Sequence, residues 1–150
     1  MSKEFLSPFQ SVDSWVEAVS FEVFDSSLPE HSSTISLGHS FDDNEFDQDG
    51  MRAVKGSITV ECKWQDADGK IICQGACTIG GAVAVYKSAI GADCSNSELG
   101  LLLRANLLSI LYGKARNTLE LLSSNSKAGK RKLPLIAPFE YLGLQDSPEE

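Results

Sequence analysis

A chain of 150 residues, 42% hydrophobic and 23% charged, can bury about two-thirds of its unfolded surface in one core, which excludes a wholly disordered protein. Lys and Arg number 13 against 21 Asp and Glu, a formal charge of −8. Such a field repels phosphate backbones and anionic membranes and favours positively charged partners, so no nucleic-acid binding is expected.

No apolar run follows the opening Met1-Ser2-Lys3-Glu4-Phe5, and no secretion signal is expected there. The most apolar stretch, Leu99 to Leu122, is interrupted by Arg104, Asn106, Lys114, Arg116 and Glu120. Its uncharged part, Ala105 to Gly113, falls far short of the ~20 residues of a spanning helix, so no membrane insertion is expected. Cys62, Cys73, Cys77 and Cys94 then read as reduced thiols of a cytoplasmic protein.

In chain order, the first strand is expected over Trp15–Phe24, with Trp15, Val19, Phe21 and Val23 on one parity and Glu17 the exception. Residues 1–14 are expected to be flexible. Ser26, Ser27, Pro29 and Glu30 break the strand. A second runs over Ser33–Phe41, with Ile35, Leu37 and Phe41 on one face. The acidic connection Asp42–Gly50 follows. The clearest pattern comes next: Val54, Ile58, Val60, Cys62 and Trp64 alternate with Lys55, Ser57, Thr59, Glu61, Lys63 and Gln65, one side core and the other wet or paired. Asp66-Ala67-Asp68-Gly69 is a turn, so the strand from Ile71 to about Tyr86 returns antiparallel. It is apolar on both parities, and Gly80-Gly81 predicts a bulge or bend.

The period then changes. Ser95-Asn96-Ser97-Glu98 has the form of a capping box, and a long helix follows. Leu101, Ala105, Leu108, Tyr112, Ala115, Leu119 and Leu122 make one stripe, and Leu103, Leu107, Ile110 and Leu111 widen it to a second face. A helix apolar on two faces predicts cover beyond its own sheet, and hence a homo-oligomer. A polar loop spans Ser123–Lys132, and Leu133–Leu144, broken by Pro134 and Pro138, ends in a short helix. Gln145–Glu150 reads as a solvated tail, leaving a single domain of α+β class: a four-stranded antiparallel sheet, a long helix and a short C-terminal helix.

Catalytic chemistry is offered and declined. Glu45, Asp47, Asp49 and Gly50 imitate the start of a calcium loop, but Gly56 stands where its last carboxylate is required. Cys73 and Cys77 lie on one face of a strand, roughly 13 Å apart along it and too far to share a metal unless the strand bulges at Gly75. His31 and His39 have no ligand neighbours, and no phosphate loop or nucleophile elbow is present. No enzyme activity, metal or cofactor is expected. Lys127, Lys130, Arg131 and Lys132 form a basic cluster that reads as a solubilising loop or as a contact for an acidic partner or another subunit's acidic loop.

The order of elements resembles the SecB family of export chaperones over roughly residues 15–144. Val19-Ser20-Phe21-Glu22 looks like the family's first-strand I-S-F-E. Cys73 and Gly80-Gly81 resemble its fourth strand, spaced about two residues wider. Leu111-Tyr112-Gly113-Lys114-Ala115-Arg116-Asn117-Thr118-Leu119 resembles the helix motif L-F-P-Y-A-R-E-x-I, and Ile136-Ala137-Pro138-Phe139-Glu140-Tyr141 is similar to L-A-P-x-N-F. The resemblance implies an ATP-independent holdase, a dimer of dimers that keeps unfolded or nascent polypeptides in hydrophobic grooves.

Carried onto this chain, the groove falls near Phe24, Leu28, Phe41 and Leu142, with Val83 and Val85 as further candidates. Glu22 matches one acid of the surface that docks the translocation motor SecA, whereas Ala18 and Gln74 replace two others. The tail lacks the basic residues that touch the motor, and the crossover Asp25–Ser32 is short and lacks the groove Trp. These departures point away from a dedicated export chaperone and leave a toxin–antitoxin system or a phage relative open. A hot-dog enzyme shares the sheet and helix but places its helix after an early strand. An interaction scaffold for one folded partner fits the same composition.

Overall fold

The computed structural model describes residues 9–42, 50–86 and 95–146. In chain order these form β1 (Phe9–Val23), β2 (Ser32–Asp42), β3 (Met51–Gln65), β4 (Ile71–Tyr86), α1 (Asn96–Ser124) and α2 (Pro138–Asp146). The calcium-loop mimic at Glu45, Asp47 and Asp49, Cys94, and the last residues of the tail lie outside the described residues. β1 begins at Phe9, inside the segment expected to be flexible, because Phe9 to Ser11 pair with Val85 to Val83. None of the described helices is long and apolar enough to cross a membrane.

The four strands make one antiparallel sheet in the order β1-β4-β3-β2. β1 and β2, adjacent in sequence, are therefore its two edges, about 14 Å apart at ~4.8 Å per strand. The segment between them crosses the end of the sheet. Phe24 and Asp25 donate their N–H groups to the Ile72 carbonyl (2.8 and 3.1 Å), and the His31 N–H reaches the Gln65 carbonyl (2.8 Å). At the β3–β4 turn Gly69 takes φ +82°, and the Asp66 carboxylate accepts from the N–H groups of Asp68 (3.0 Å) and Lys70 (2.8 Å).

Both helices pack on one face. A Cβ added at Gly75 would lie 3.0 Å from Leu119 Cδ2, and one at Gly81 would lie 2.8 Å from Leu111 Cδ2, so the odd-numbered positions of β4 face α1. The cross-strand register then turns Val54, Ile58, Val60, Cys62 and Trp64 toward the helix, and all are buried. The other face presents Ser57, Thr59, Glu61 and Lys63 of β3, as the alternation predicts.

β1 departs from its expected pattern. Its register with β4 shifts between Val16 and Ala18, so Trp15 opposes Gly80 while Val19 opposes Cys77. Trp15 therefore lies on the open face, opposite Val19, Phe21 and Val23. The extra residue is Glu17, whose carboxylate accepts from Trp15 Nε1 at 3.2 Å. The glycine pair causes no break in the β3–β4 register; the bulges sit on the facing strand. Its purpose is close approach: a Cβ at Gly80 would stand 2.6 Å from Trp15 Nε1, and one at Gly81 2.7 Å from the Asp13 carbonyl.

α1 starts with the expected capping box, Glu98 N–H to Ser95 Oγ (3.2 Å) and Ser95 N–H to the Glu98 carboxylate (3.3 Å). Its two apolar stripes merge into one broad buried face, from Leu103 and Leu107 through Leu111 to Leu119. The second stripe is covered within the chain. The segment after α1 runs back beside it, with Tyr112 Oη donating to the Pro134 carbonyl and Arg116 Nε to the Leu133 carbonyl (3.0 Å). Leu133 and Leu142 close the core. α2 is held over β2 by Tyr141, whose hydroxyl donates to the Leu37 carbonyl (3.0 Å) and lies 3.1 Å from His39 Nδ1.

Candidate functional site

The residues assigned to a groove from the sequence are not gathered on one surface. Val83, Val85 and Leu142 are each 0% exposed. Val83 and Val85 fill the core because they share the α1-facing parity of β4, and Leu142 because α2 turns it inward. Phe41 is half-buried beside His39, with ring centroids 5.0 Å apart. It pairs with Gly56, which in turn opposes Gly81. That is roughly 30 Å along the sheet from Ile72, whose carbonyl holds the Phe24 N–H. Leu28 packs against the core, and Glu22 is exposed on the open face opposite Gln74. Phe24 alone of the groove set is strongly exposed, at 55%.

Phe24 continues a strip of exposed apolar side chains on β1. Val16, Val19 and Val23 face the helix side of β1, yet they are 40%, 41% and 36% exposed. α1 lies over β4 and β3 more than over β1. It reaches β1 through Lys114, whose ammonium donates to the Ser14 carbonyl (2.9 Å), and through Leu119, beside Phe21. The valines lie along the sheet margin, and Leu122 in the last turn of α1 is likewise 38% exposed. Among the described residues no strand pairs with the outer edge of β1. A long edge strand with an apolar margin is a template for another chain.

At the crossover end, charges tie the loops together. Asp25 accepts from the hydroxyl and the N–H of Ser27 (the latter at 3.0 Å), which holds its carboxyl below the ordinary range. Arg131 Nε lies 3.5 Å from Glu30, linking the crossover to the segment after α1. Ser123 Oγ, fully buried, accepts from the Arg131 N–H (2.8 Å). On the opposite face, Trp15, Glu17, Phe41 and Lys55 line a shallow depression of about 420 Å³. Nothing in these arrangements forms a nucleophile–base pair, and among the described residues no three His, Cys, Asp or Glu side chains converge as a metal requires.

Burial pushes the Cys62 thiol up to about 12 and that of Cys77 to about 11. Cys73 is raised as well, by burial that outweighs the lowering by Arg131. Raised values mean that the fold keeps these protons when the unfolded chain, at about 8.5, has released them. The stabilisation is complete below about pH 8.5 and is lost as pH rises toward 11 and 12. In a Cys94→Ser variant the remaining thiols should resist an aromatic disulfide reagent in the native state at pH 8 and react fully in urea. Fast native reaction would show that they are not buried.

No protein-family model matches this sequence, and no curated protein does. Among solved structures, the Mycobacterium tuberculosis Rv1957 SecB-like chaperone, in complex with a ChAD peptide from the Rv1956 HigA1 antitoxin, matches at TM-score 0.61. Identity is 13%, over 86% of this chain and 91% of that one. The fold is SecB-like. A protein of unknown function from Streptococcus agalactiae matches at 10% identity over 85% of this chain and 97% of that one, with TM-score 0.42, a level that adds nothing to the assignment. The motifs that the resemblance assigns to the first strand, the fourth strand and the long helix lie in those elements, Val19–Glu22 in β1, Cys73 and Gly80-Gly81 in β4 and Leu111–Leu119 within α1, and Ile136–Tyr141 runs into the start of α2.

Proposed function

We propose that this chain is a non-catalytic, ATP-independent chaperone of SecB type that holds unfolded or nascent polypeptides as a cytoplasmic homo-oligomer. The observation that carries this reading is the exposed apolar strip Val16, Val19, Val23 and Phe24 along an edge strand. Two kinds of partner fit it. The straight part of β1 suits a second copy, because an edge strand and its apolar margin are self-complementary about a two-fold axis. A dimer of dimers is the assembly that the resemblance to the SecB family implies. The crossover end, where Phe24 leaves the sheet, suits an unfolded client that buries a large side chain there.

The peptide-bound Rv1957 structure supports polypeptide binding and makes a toxin–antitoxin pair the partner system we favour over export. A role for Glu22 in docking SecA is the weaker arm, since Ala18 and Gln74 stand where the resemblance to SecB calls for further acids. The test is suppression of aggregation of several unrelated unfolded proteins without ATP. Phe24→Ser should weaken client binding by about 1–3 kcal/mol, the value of one buried large side chain. Stability should change by less than about 1 kcal/mol, as for other surface substitutions. Binding of a single folded partner and of no unfolded protein would replace the holdase reading with a scaffold.

A further inference from the structure

Near the end of α1 the local charge reverses. Lys130 Nζ lies 2.8 Å from Glu120 Oε1. The Glu120 carboxyl is held below its ordinary range first by that Lys130 hydrogen bond, and then by the fields of Lys130, Lys132 and Arg116. Three cations thus surround one carboxylate, and Lys127, exposed in the same loop, adds a further positive charge. This excess stands on a chain whose formal charge is −8. Beside it, Leu121 is 68% exposed. With Asn117, Ser124 and the Glu120–Lys130 pair, Leu121 lines a depression of about 370 Å³ on the outer side of the helix, away from the sheet.

A lone exposed leucine needs no explanation. An exposed leucine beside a depression that holds the Glu120–Lys130 pair, next to a loop carrying Lys127 and Lys132, is different, because the local excess of cations sets a charge preference opposite to that of the rest of the surface. Acidic segments are repelled over most of the molecule and attracted here. Lys130 already makes the contact such a segment would use, since an incoming carboxylate can replace Glu120 on it.

We propose that this patch binds acidic polypeptide segments in which a large apolar residue neighbours Asp or Glu, the apolar side chain resting on Leu121 and the carboxylates on Lys127, Lys130 and Lys132. The inference rests on the reading of the chain as a polypeptide binder and adds to it a second surface, with its own specificity.

Two fluorescein-labelled dodecapeptides, one alternating Leu with Asp and the other Leu with Asn, provide the probe, read by anisotropy. The acidic peptide should bind the full chain about tenfold or more tightly than the neutral one. Its advantage should shrink as salt rises through ~0.15 M, where the screening length falls to about 8 Å. A Lys127→Glu, Lys132→Glu variant should erase the advantage, and Leu121→Ser should weaken both peptides. Equal affinity for the two peptides, or an advantage that survives the double charge reversal, would overturn the proposal. So would a fall in sedimenting mass of the charge-reversed variant, which would make the patch a contact between copies. Aggregation suppression of a basic client by the wild-type chain keeps the two readings apart. A wild type that suppresses aggregation but does not discriminate between the peptides removes this patch alone, and one that discriminates without any suppression removes the holdase reading alone.

Discussion

Leu119→Ala should lower the unfolding free energy by about 2–5 kcal/mol, the range for emptying a fully buried leucine site. Leu119 is 0% exposed and lies between Phe21 and Gly75, where it joins α1 to both β1 and β4. The site has little means of collapse, because Gly75 has no side chain to move into the space and its backbone is fixed in the ladder between Phe21 and Cys62. At about 2–4 °C for each kcal/mol in a chain of this size, thermal melting resolves the effect readily. Gly75→Ala offers a sharper check. Alone, its new Cβ would meet Leu119 Cδ2 at 3.0 Å and Phe21 Cδ2 at 3.3 Å, tight enough to destabilise. Combined with Leu119→Ala, the first of those contacts disappears, so the double variant should lose less than the sum of the single losses. Strict additivity would mean that α1 does not pack on β4 at this point.

The second large effect concerns assembly. Val19→Lys with Val23→Lys should convert the proposed oligomer to a smaller species, raising the dissociation constant by about 100-fold or more, since every copy would carry both changes into the proposed apolar contact. Lysine is the residue with which edge strands avoid pairing, and at 41% and 36% exposure both positions let its stem lie along the surface. Protomer stability should therefore move by less than about 1 kcal/mol. Sedimentation and melting are to be read together. An unchanged mass would show that the β1 margin is not a contact between copies and would leave it entirely to clients.

How much of this was legible in the sequence depended on whether a pattern was local. β3 could be read in full because its alternation between Val54 and Gln65 is unbroken and both faces have a single character. The capping box at Ser95 was equally plain, since it is a contact within four residues. The face of Trp15 was not, because the bulge at Glu17 inserts one residue and moves Trp15 to the other side without any change in composition. The cover over the second stripe of α1 was missed for another reason. It depends on Tyr112 and Arg116 holding the carbonyls of Pro134 and Leu133, and main-chain acceptors leave no trace in a sequence. The groove residues suffered most. Apolar character at Val83, Val85 and Leu142 is shared by core and binding surface, and only the register of β4 and the rotation of α2 decide between them. The exposure of Val19 and Val23 leaves no mark in the alternation either, because nothing in the strand itself says how far the helix extends over it.

The placement of β1 beside β4 also has a meaning in time. β2, β3 and β4 pair with their neighbours in sequence, so each ladder can close soon after its strands are made. β1 cannot: Val23 must find Cys73 and Phe9 must find Val85. At ~5–20 residues per second, the interval between the synthesis of Phe24 and that of Tyr86 is about 3–12 s. Until Cys73 to Ile79 have been made, late in that interval, Val16, Val19, Phe21 and Val23 have neither their partner strand nor a helix above them. The strand made first is the last to be seated, and each newly made copy passes through a stage in which it displays the kind of segment that finished copies are proposed to hold.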